Sequence, residues 1–305
     1  MLHIPVMADE ALHWLSVRPD GVYVDGTAGA GGHSSLIAAR LSGGRLLALD
    51  RDPSAVVLAG ERLREFPCAT VHHANYAELA SVLAVAGIDG VDGVLIDAGC
   101  SSMQIDTAGR GFSFQENGPL DMRMNPEAGE PAAALLRRWS REEVESILRD
   151  YGDVGPAGRI ATAIKEAAFG GRLETTHDLV AAVKAALPFL SETPEEVRTV
   201  FQAIRIAVND ELAGLRRGVE AAIDCLNPGG RLVVIAFHSG EDRIVKQVMR
   251  EASRKRHTLH PDGRVKATEA ARLKVLTPGP VEAGAGECAR NPRAKSARLR
   301  AGERC

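Results

Sequence analysis

Short apolar runs alternate with stretches of helical periodicity through the first hundred residues. Val22–Asp25 (VYVD), Arg45–Asp50 (RLLALD), residues 70–73 and residues 93–97 (GVLID) are each apolar and closed by a turn signal, as strands are. Between them, residues 34–41, 53–66 and 77–86 carry helix formers with apolar positions at helical spacing, and Pro53 suits a first helical turn. Such alternation is the signature of βαβ units on a parallel sheet. After Ser102 the rhythm breaks: residues 107–196 read as a Gly/Pro-containing loop (GRGFSFQENGPLDMRM) followed by helices, with no strong strand. One long helix is predicted over 197–226, stopped by NPGG, and an apolar strand over 231–237 resumes the sheet. A helix over 242–255, a loop over 257–289 rich in Gly, Pro and charge, and a last edge strand over 296–300 complete the reading. The pattern predicts a doubly wound, Rossmann-like α/β sheet built from 1–106 and 197–305, interrupted by an inserted helical lobe at 107–196. Insertions at the loop ends of such sheets usually cover the site there.

Composition narrows this picture. A chain of 305 residues with 45% hydrophobic content buries a full core, which excludes general disorder. No run approaches the roughly 20 apolar residues that cross a bilayer, and MLHIPVMADEALHWL lacks the basic, apolar and small-residue segments of a secretory leader, so a soluble cytoplasmic protein is expected. Five cysteines without a CxxC spacing fit a reduced compartment and point to no metal site; Cys68 and Cys225, in apolar surroundings, read as core packing. The net charge of -3 hides a segregation: residues 241–305 hold 16 Lys and Arg against 8 Asp and Glu. A basic segment of this kind is the electrostatic footprint of phosphate-backbone contact, or else a solvated tail.

Candidate chemistry begins where the first strand ends. Asp25 runs into DGTAGAGGH, whose glycines let backbone N–H groups approach a ligand at a helix N-terminus. Asp50 closes the second strand, where an acid accepts hydrogen bonds from ribose hydroxyls. The loop lacks regular GxGxxG spacing and has little basic character, and Asp25 would repel a pyrophosphate but receive a cationic amino-acid or sulfonium ligand. A sulfonium methyl donor therefore fits better than a dinucleotide, the bland alternative being that both acids only cap turns.

Asp97 ends the fourth strand, in VLIDAGCSSMQ, where open α/β sheets place reacting groups. An acceptor there can bind an exocyclic N–H, orient the nitrogen lone pair and stabilise developing positive charge. Cys100 raises a rival, because DAGCS is similar to the DAPCS element of RNA cytosine-C5 methyltransferases, in which a thiolate adds to the ring. Those enzymes carry a second cysteine after the next sheet strand, and IAFHSGEDR here has none. His238 and Ser239 follow that strand; the histidine either contacts a base or phosphate or holds its loop. Phe112 and Phe114, next to Arg110, either stack a nucleobase or pack the lobe.

These stretches, together with HIPVMADEAL, LLALDRDPSA, RGFSFQENGPLDMRM, VFQAIRIAVNDEL and NPRAKSARLR, resemble one family across nearly the whole chain: the bacterial small-subunit rRNA cytosine-N4 methyltransferases, RsmH or MraW. The resemblance implies N4-methylation of a cytidine in the decoding region of 16S rRNA by S-adenosylmethionine, on a methyltransferase sheet with an inserted substrate-binding lobe. It places cofactor contacts on Gly31, Gly32, His33, Asp50, Tyr76, Asp97 and Gln104, of which Tyr76 and Gln104 follow from the resemblance alone. The chain departs from the family where DAGCSS, FHSGED and PEEVRTVFQ stand for DLGVSS, FHSLED and PATRTFQ, and where Val154 follows Asp153. A C5 mechanism through Cys100 and a paralogue acting on another RNA site stay open as alternatives, as does the oligomeric state, a homodimer included.

Overall fold

The computed structural model describes residues 5–188, 195–259 and 265–305. His3 and Ile4 of the HIPVMADEAL stretch, residues 189–194 of the expected lobe and 260–264 of the expected C-terminal loop lie outside the described residues. The chain divides into two compact units, one of Met1–Gly99 with Leu212–Cys305 and one of Cys100–Glu211, the second extending beyond 107–196 at both ends.

The first unit carries β1 (Val22–Asp25), β2 (Arg45–Asp50), β3 (Ala69–His73), β4 (Val91–Asp97) and β5 (Leu226–Ala236). It continues with β6 (Arg256–Leu259), β7 (Val265–Glu269), β8 (Leu273–Val275), β9 (Val281–Glu282) and β10 (Arg298–Arg304). The sheet order is β3-β2-β1-β4-β5-β10-β8, with β9 also on β10 and β6-β7 a separate pair. Strands β1 to β5 run parallel to their neighbours, and β10 is antiparallel to β5. Strand order reverses between β1 and β4, and the crevice at their carboxyl ends is where a doubly wound sheet binds ligands.

Along the chain the helices are α1 (Ala8–Leu15), α2 (Gly32–Ala38), α3 (Pro53–Leu63) and α4 (Leu79–Val85), then α5 (Ser102–Asp106), α6 (Ala132–Arg138), α7 (Arg141–Gly152), α8 (Ala157–Phe169), α9 (Thr176–Ala186) and α10 (Glu195–Asn209). After them come α11 (Glu211–Cys225), α12 (Ser239–Ala252) and α13 (Ala285–Arg290). Period-two alternation along the strands divides the core of the first unit in two. Val94, Ile96, Leu232 and Val234 face one way, onto Leu79, Val219, Ile223, Val245 and Met249 of α4, α11 and α12. Leu95, Val233, Ile235 and Leu299 face the other way, onto Leu12, Leu15, Ile37 and Leu63 of α1, α2 and α3. Each fully buried aliphatic side chain contributes about 1.5–3 kcal/mol of burial free energy, so both layers hold the strand tips in fixed register. Cys68 and Cys225 pack against these two cores, as expected.

The start of α3 follows from local chemistry: Asp52 accepts from the Ser54 N–H at 3.0 Å, and Pro53 occupies the first turn. In the second unit, Ser140 with Glu143 and Thr175 with Asp178 form capping boxes that open α7 and α9. Helices α6 to α10 enclose a separate core that includes Leu136, Leu148, Ile160, Val183 and Ile204.

Three expectations are corrected. The predicted single helix over 197–226 is two, because Asp210 takes a left-handed φ of 50°, which aspartate tolerates better than most residues. Asn209 stabilises the break, accepting from the Met124 N–H at 2.7 Å and donating to Met122 O at 2.7 Å. The last strand is an inner strand, with β5 on one side and β8 and β9 on the other. The stretch read as loop over 257–289 contains β7, β8, β9 and part of β6.

Candidate active site

The glycine turn is built around Asp25. This side chain is completely buried, accepts from the Thr27 N–H at 3.1 Å and from Ser34 Oγ at 2.6 Å, and so buttresses the loop from below. Burial pushes its carboxyl above the usual carboxylate range, against the lowering effects of His33, Ser34 and Thr27. Both of its oxygens are engaged and it has no exposed surface. Gly29 and Gly31 adopt φ of 53° and 77°, conformations that L side chains rarely take, and Gly31 caps α2. Gly32 begins that helix in close contact with Pro5, where a Cβ would stand 3.2 Å from the proline Cβ.

Asp50, at the tip of β2, accepts from the Gly29 N–H at 2.8 Å and the Asp52 N–H at 2.9 Å. Burial raises its carboxyl to about 6, although both N–H groups favour the ionised form. Asp50 thus ties the glycine turn to the start of α3.

His33, the second residue of α2, is buried with its Nε2 3.7 Å from Asp97 Oδ2 at the tip of β4. That separation exceeds a hydrogen bond. Among the described residues, neither ring nitrogen of His33 makes a hydrogen bond of ordinary geometry, and Asp97 Oδ1, also buried, makes none. Burial alone would lower the histidine pKa; the Asp97 carboxylate, with Asp25 behind it, reverses the sign and raises it. The Asp97 backbone is fixed independently, its N–H donating to Thr27 Oγ1 at 2.7 Å. Two unpartnered buried polar groups facing one another at the switch point of the sheet are what a polar ligand would satisfy.

Tyr76 lies in the 3₁₀ turn after β3, and its ring packs on Gly218 of α11. A Cβ at Gly218 would fall 2.3 Å from Tyr76 Cδ2, so only glycine admits the ring in this position. Sequence reasoning missed Gly218, although a glycine inside a helix, costing about 1 kcal/mol relative to alanine, is itself a signal of close approach.

At the tip of β5, His238 caps α12, its Nδ1 accepting from the Glu241 N–H at 3.4 Å. Its Nε2 lies 3.1 Å from Glu241 Oε1, off the angle of a hydrogen bond. Nδ1 thus holds the loop, while Nε2 is buried with no hydrogen-bond partner among the described residues, as the ring nitrogens of His33 are. Glu241 is the residue that sequence reasoning overlooked. It is 2% exposed, accepts from the Phe237 N–H at 2.7 Å and the His238 N–H at 3.3 Å, and stands near Gly99 beyond β4. Gly99, with φ of 99°, passes so close to Phe237 that a Cβ would stand 3.4 Å from the ring.

The remaining candidates belong to the second unit. Gln104 is buried in α5, where its Oε1 accepts from the Ser101 N–H at 3.0 Å in a capping box. Cys100 Sγ accepts from the Arg205 guanidinium at 3.0 Å, and the same guanidinium grips both oxygens of buried Glu211 at 2.8 and 2.9 Å. Arg205 was not singled out from sequence: six residues from Glu211, it has no helical reason to pair until Asp210 turns the chain. Phe114 packs edge-on to Phe201 with ring centroids 5.3 Å apart, Phe112 is buried, and Arg110 donates to Arg123 O and Met124 O. Phe114 packs against the lobe core, the blander of its two sequence readings.

The model of the MraW methylase family matches residues 1–305. A protein named ribosomal RNA small subunit methyltransferase H from Nitratidesulfovibrio vulgaris (strain Miyazaki F) is 48% identical, with 99% of this chain and 86% of that one aligned. Proteins of the same name from Pelobacter propionicus and Methylococcus capsulatus are 46% and 47% identical, over 99% and 98% of this chain and 98% and 99% of theirs. Among solved structures, an rRNA methylase from Streptococcus thermophilus is 11% identical with a TM-score of 0.43, covering 100% of this chain and 98% of that one. The N-methyltransferase NodS from Bradyrhizobium japonicum is 9% identical with a TM-score of 0.43, covering 97% and 85%. Matched from its first residue to its last, and nearly half identical to relatives of similar length, the chain belongs to the MraW methylase family.

Proposed function

We propose that this protein methylates N4 of a cytidine in the decoding region of 16S rRNA within the small ribosomal subunit, with S-adenosylmethionine as methyl donor. The observation that carries the reading is the pair of unsatisfied polar groups, His33 and Asp97 Oδ1, at the switch point beside the glycine turn. Its family membership and the name shared by its relatives support the ribosomal substrate. When bound, the donor supplies a methyl group activated on sulfonium. Gly31, Gly32 and the turn braced by Asp25 offer backbone to it, His33 and Asp50 offer polar contacts, and Tyr76 and Gln104 are the further contacts that the resemblance assigns. Asp97 accepts an N–H of the exocyclic amine, aims the nitrogen lone pair and stabilises its developing charge. His238 and Glu241 fix the neighbouring strand tip rather than exchange a proton with the base. Mass mapping of modified nucleosides in small-subunit rRNA from a deletion strain tests the reading: N4-methylcytidine should vanish and return on complementation, and its persistence would refute it.

The C5 alternative is less well supported, since no cysteine follows β5 in FHSGED. Cys100→Ser is therefore expected to leave methylation largely intact in a tritium-transfer assay. Complete loss, with a covalent RNA adduct trapped on the unaltered enzyme, would reverse the assignment.

Asp50 gives a pH-dependent expectation. Ribose hydroxyls donate to its ionised form, so donor binding draws on the carboxylate; with the free-state pKa raised to about 6, affinity holds above that pH and falls below it. Calorimetry should show donor affinity weakening by up to about tenfold per pH unit below 6, and Asp50→Ala weakening it by roughly 1.5–3 kcal/mol at neutral pH. A flat profile together with unchanged affinity in the variant would remove Asp50 from the site.

A further inference from the structure

Beside the tip of β5 the first unit contains a cavity of about 210 Å³ lined by His238, Ser239, Glu282, Lys295, Ser296 and Arg298, among others. Its place in the sheet is defined by register: Asp97 pairs with Ile235, and Arg298 pairs with Ala236. Arg298 therefore begins its strand two strands from Asp97, about 10 Å away at ordinary strand spacing, on the edge where the reacting groups stand.

The charges around this cavity do not cancel. Asp242, close by in α12, is neutralised by Arg300, whose Nε and Nη2 donate to its two oxygens at 2.6 and 3.1 Å. Arg298 reaches the same carboxylate only at 3.7 Å and remains 45% exposed. Glu241 is occupied by the Phe237 and His238 N–H groups. What faces the cavity is then Lys295 and Arg298 against the single carboxylate of Glu282, with the hydroxyls of Ser239 and Ser296 as neutral hydrogen-bonding groups. One net positive charge with flanking hydroxyls matches a phosphodiester, which carries one negative charge; a terminal phosphate would be undercompensated.

We infer that this cavity takes one backbone phosphodiester of the RNA, next to the nucleotide whose base lies at Asp97. The inference rests on the RNA reading and narrows it: of the basic C-terminal residues, Lys295 and Arg298 contact phosphate at the reacting centre, and Glu282 opposes them. The binding term is electrostatic, so losing the contact reduces the salt dependence as well as the affinity.

The test uses full-length protein and small-subunit rRNA. In Lys295→Ala/Arg298→Ala, KM for RNA should rise on the order of tenfold, more than kcat falls. The slope of log affinity against log salt should shallow by about 0.7–0.9, the loss of one phosphate. Glu282→Gln should do the opposite and tighten RNA binding. Donor affinity, measured by calorimetry, should match the unaltered enzyme in both variants, which shows that they fold. If the unaltered enzyme methylates rRNA and the double variant keeps the same KM and slope, the subsite is wrong and the functional reading stands. If the unaltered enzyme neither binds nor methylates rRNA, both fall.

Discussion

Replacing Asp97 with asparagine is expected to lower kcat for methyl transfer by about 10²–10³, the loss seen when one preorganised polar contact to a reacting centre is removed. The substitution preserves shape. The backbone N–H of Asp97 still donates to Thr27 Oγ1, and the Ala98 N–H still donates to Ile235 O at 2.9 Å, so the tip of β4 keeps its position. What changes is the charge and the identity of one group. An amide turned with its NH₂ toward the acceptor nitrogen presents a donor where a donor already stands, and in either orientation the negative charge that steadies the developing cation is gone. A second readout separates this from a folding defect. Burial alone would lower the His33 pKa, and Asp97 is the chief reason that it is raised instead. NMR titration of the His33 ring should therefore show its pKa falling in the variant. A kcat within about threefold of the unaltered enzyme, with the His33 shift present, would place Asp97 outside the reacting centre.

The strands of this fold were legible because burial imposes a simple period on them. Residues 22–25 and 45–50 were read with the bounds the structure has, and β4 ends at Asp97 as expected. The site acids followed, since a doubly wound sheet places ligands at strand tips and the acids stand there. What sequence did not carry was pairing and side-chain engagement. Arg298–Arg304 contains a four-residue buried run that looks the same on an edge as inside a sheet; its outer neighbours β8 and β9 have three and two residues, too few for any period. The break at Asp210 depends on Asn209 reaching Met122 and Met124, more than eighty residues away in sequence. Glu241, three residues after His238, stands in a capping-box spacing, but histidine is not a residue from which a helix cap is ordinarily read. Asp25 shows the opposite case. Its place at a strand tip is plain in the sequence, whereas its burial depends on Ser34 folding over it.

Asp242→Ala is expected to cost about 3–5 kcal/mol of folding stability, because it leaves the buried Arg300 guanidinium without its partner. Arg300 is 6% exposed and Asp242 8%, and the two hydrogen bonds between them join α12 to β10 through the interior of the first unit. This explains the second acid of FHSGED and the second arginine of ARLR together: the two motifs are separated in sequence and meet as one ion pair. The register of β10 with β5 places Arg300 opposite Val234, within reach of the first turn of α12. Urea unfolding should show the full loss in Asp242→Ala, a smaller loss in Asp242→Asn, which retains one acceptor, and recovery of most of the stability in the double variant Asp242→Leu/Arg300→Met, where no charge is stranded. A loss below about 1 kcal/mol in Asp242→Ala would mean that water reaches the guanidinium and that the pair behaves as a surface salt bridge. In that event the charge of Asp242 would also be shared with Arg298, and the single net positive charge assigned to the neighbouring cavity would no longer hold.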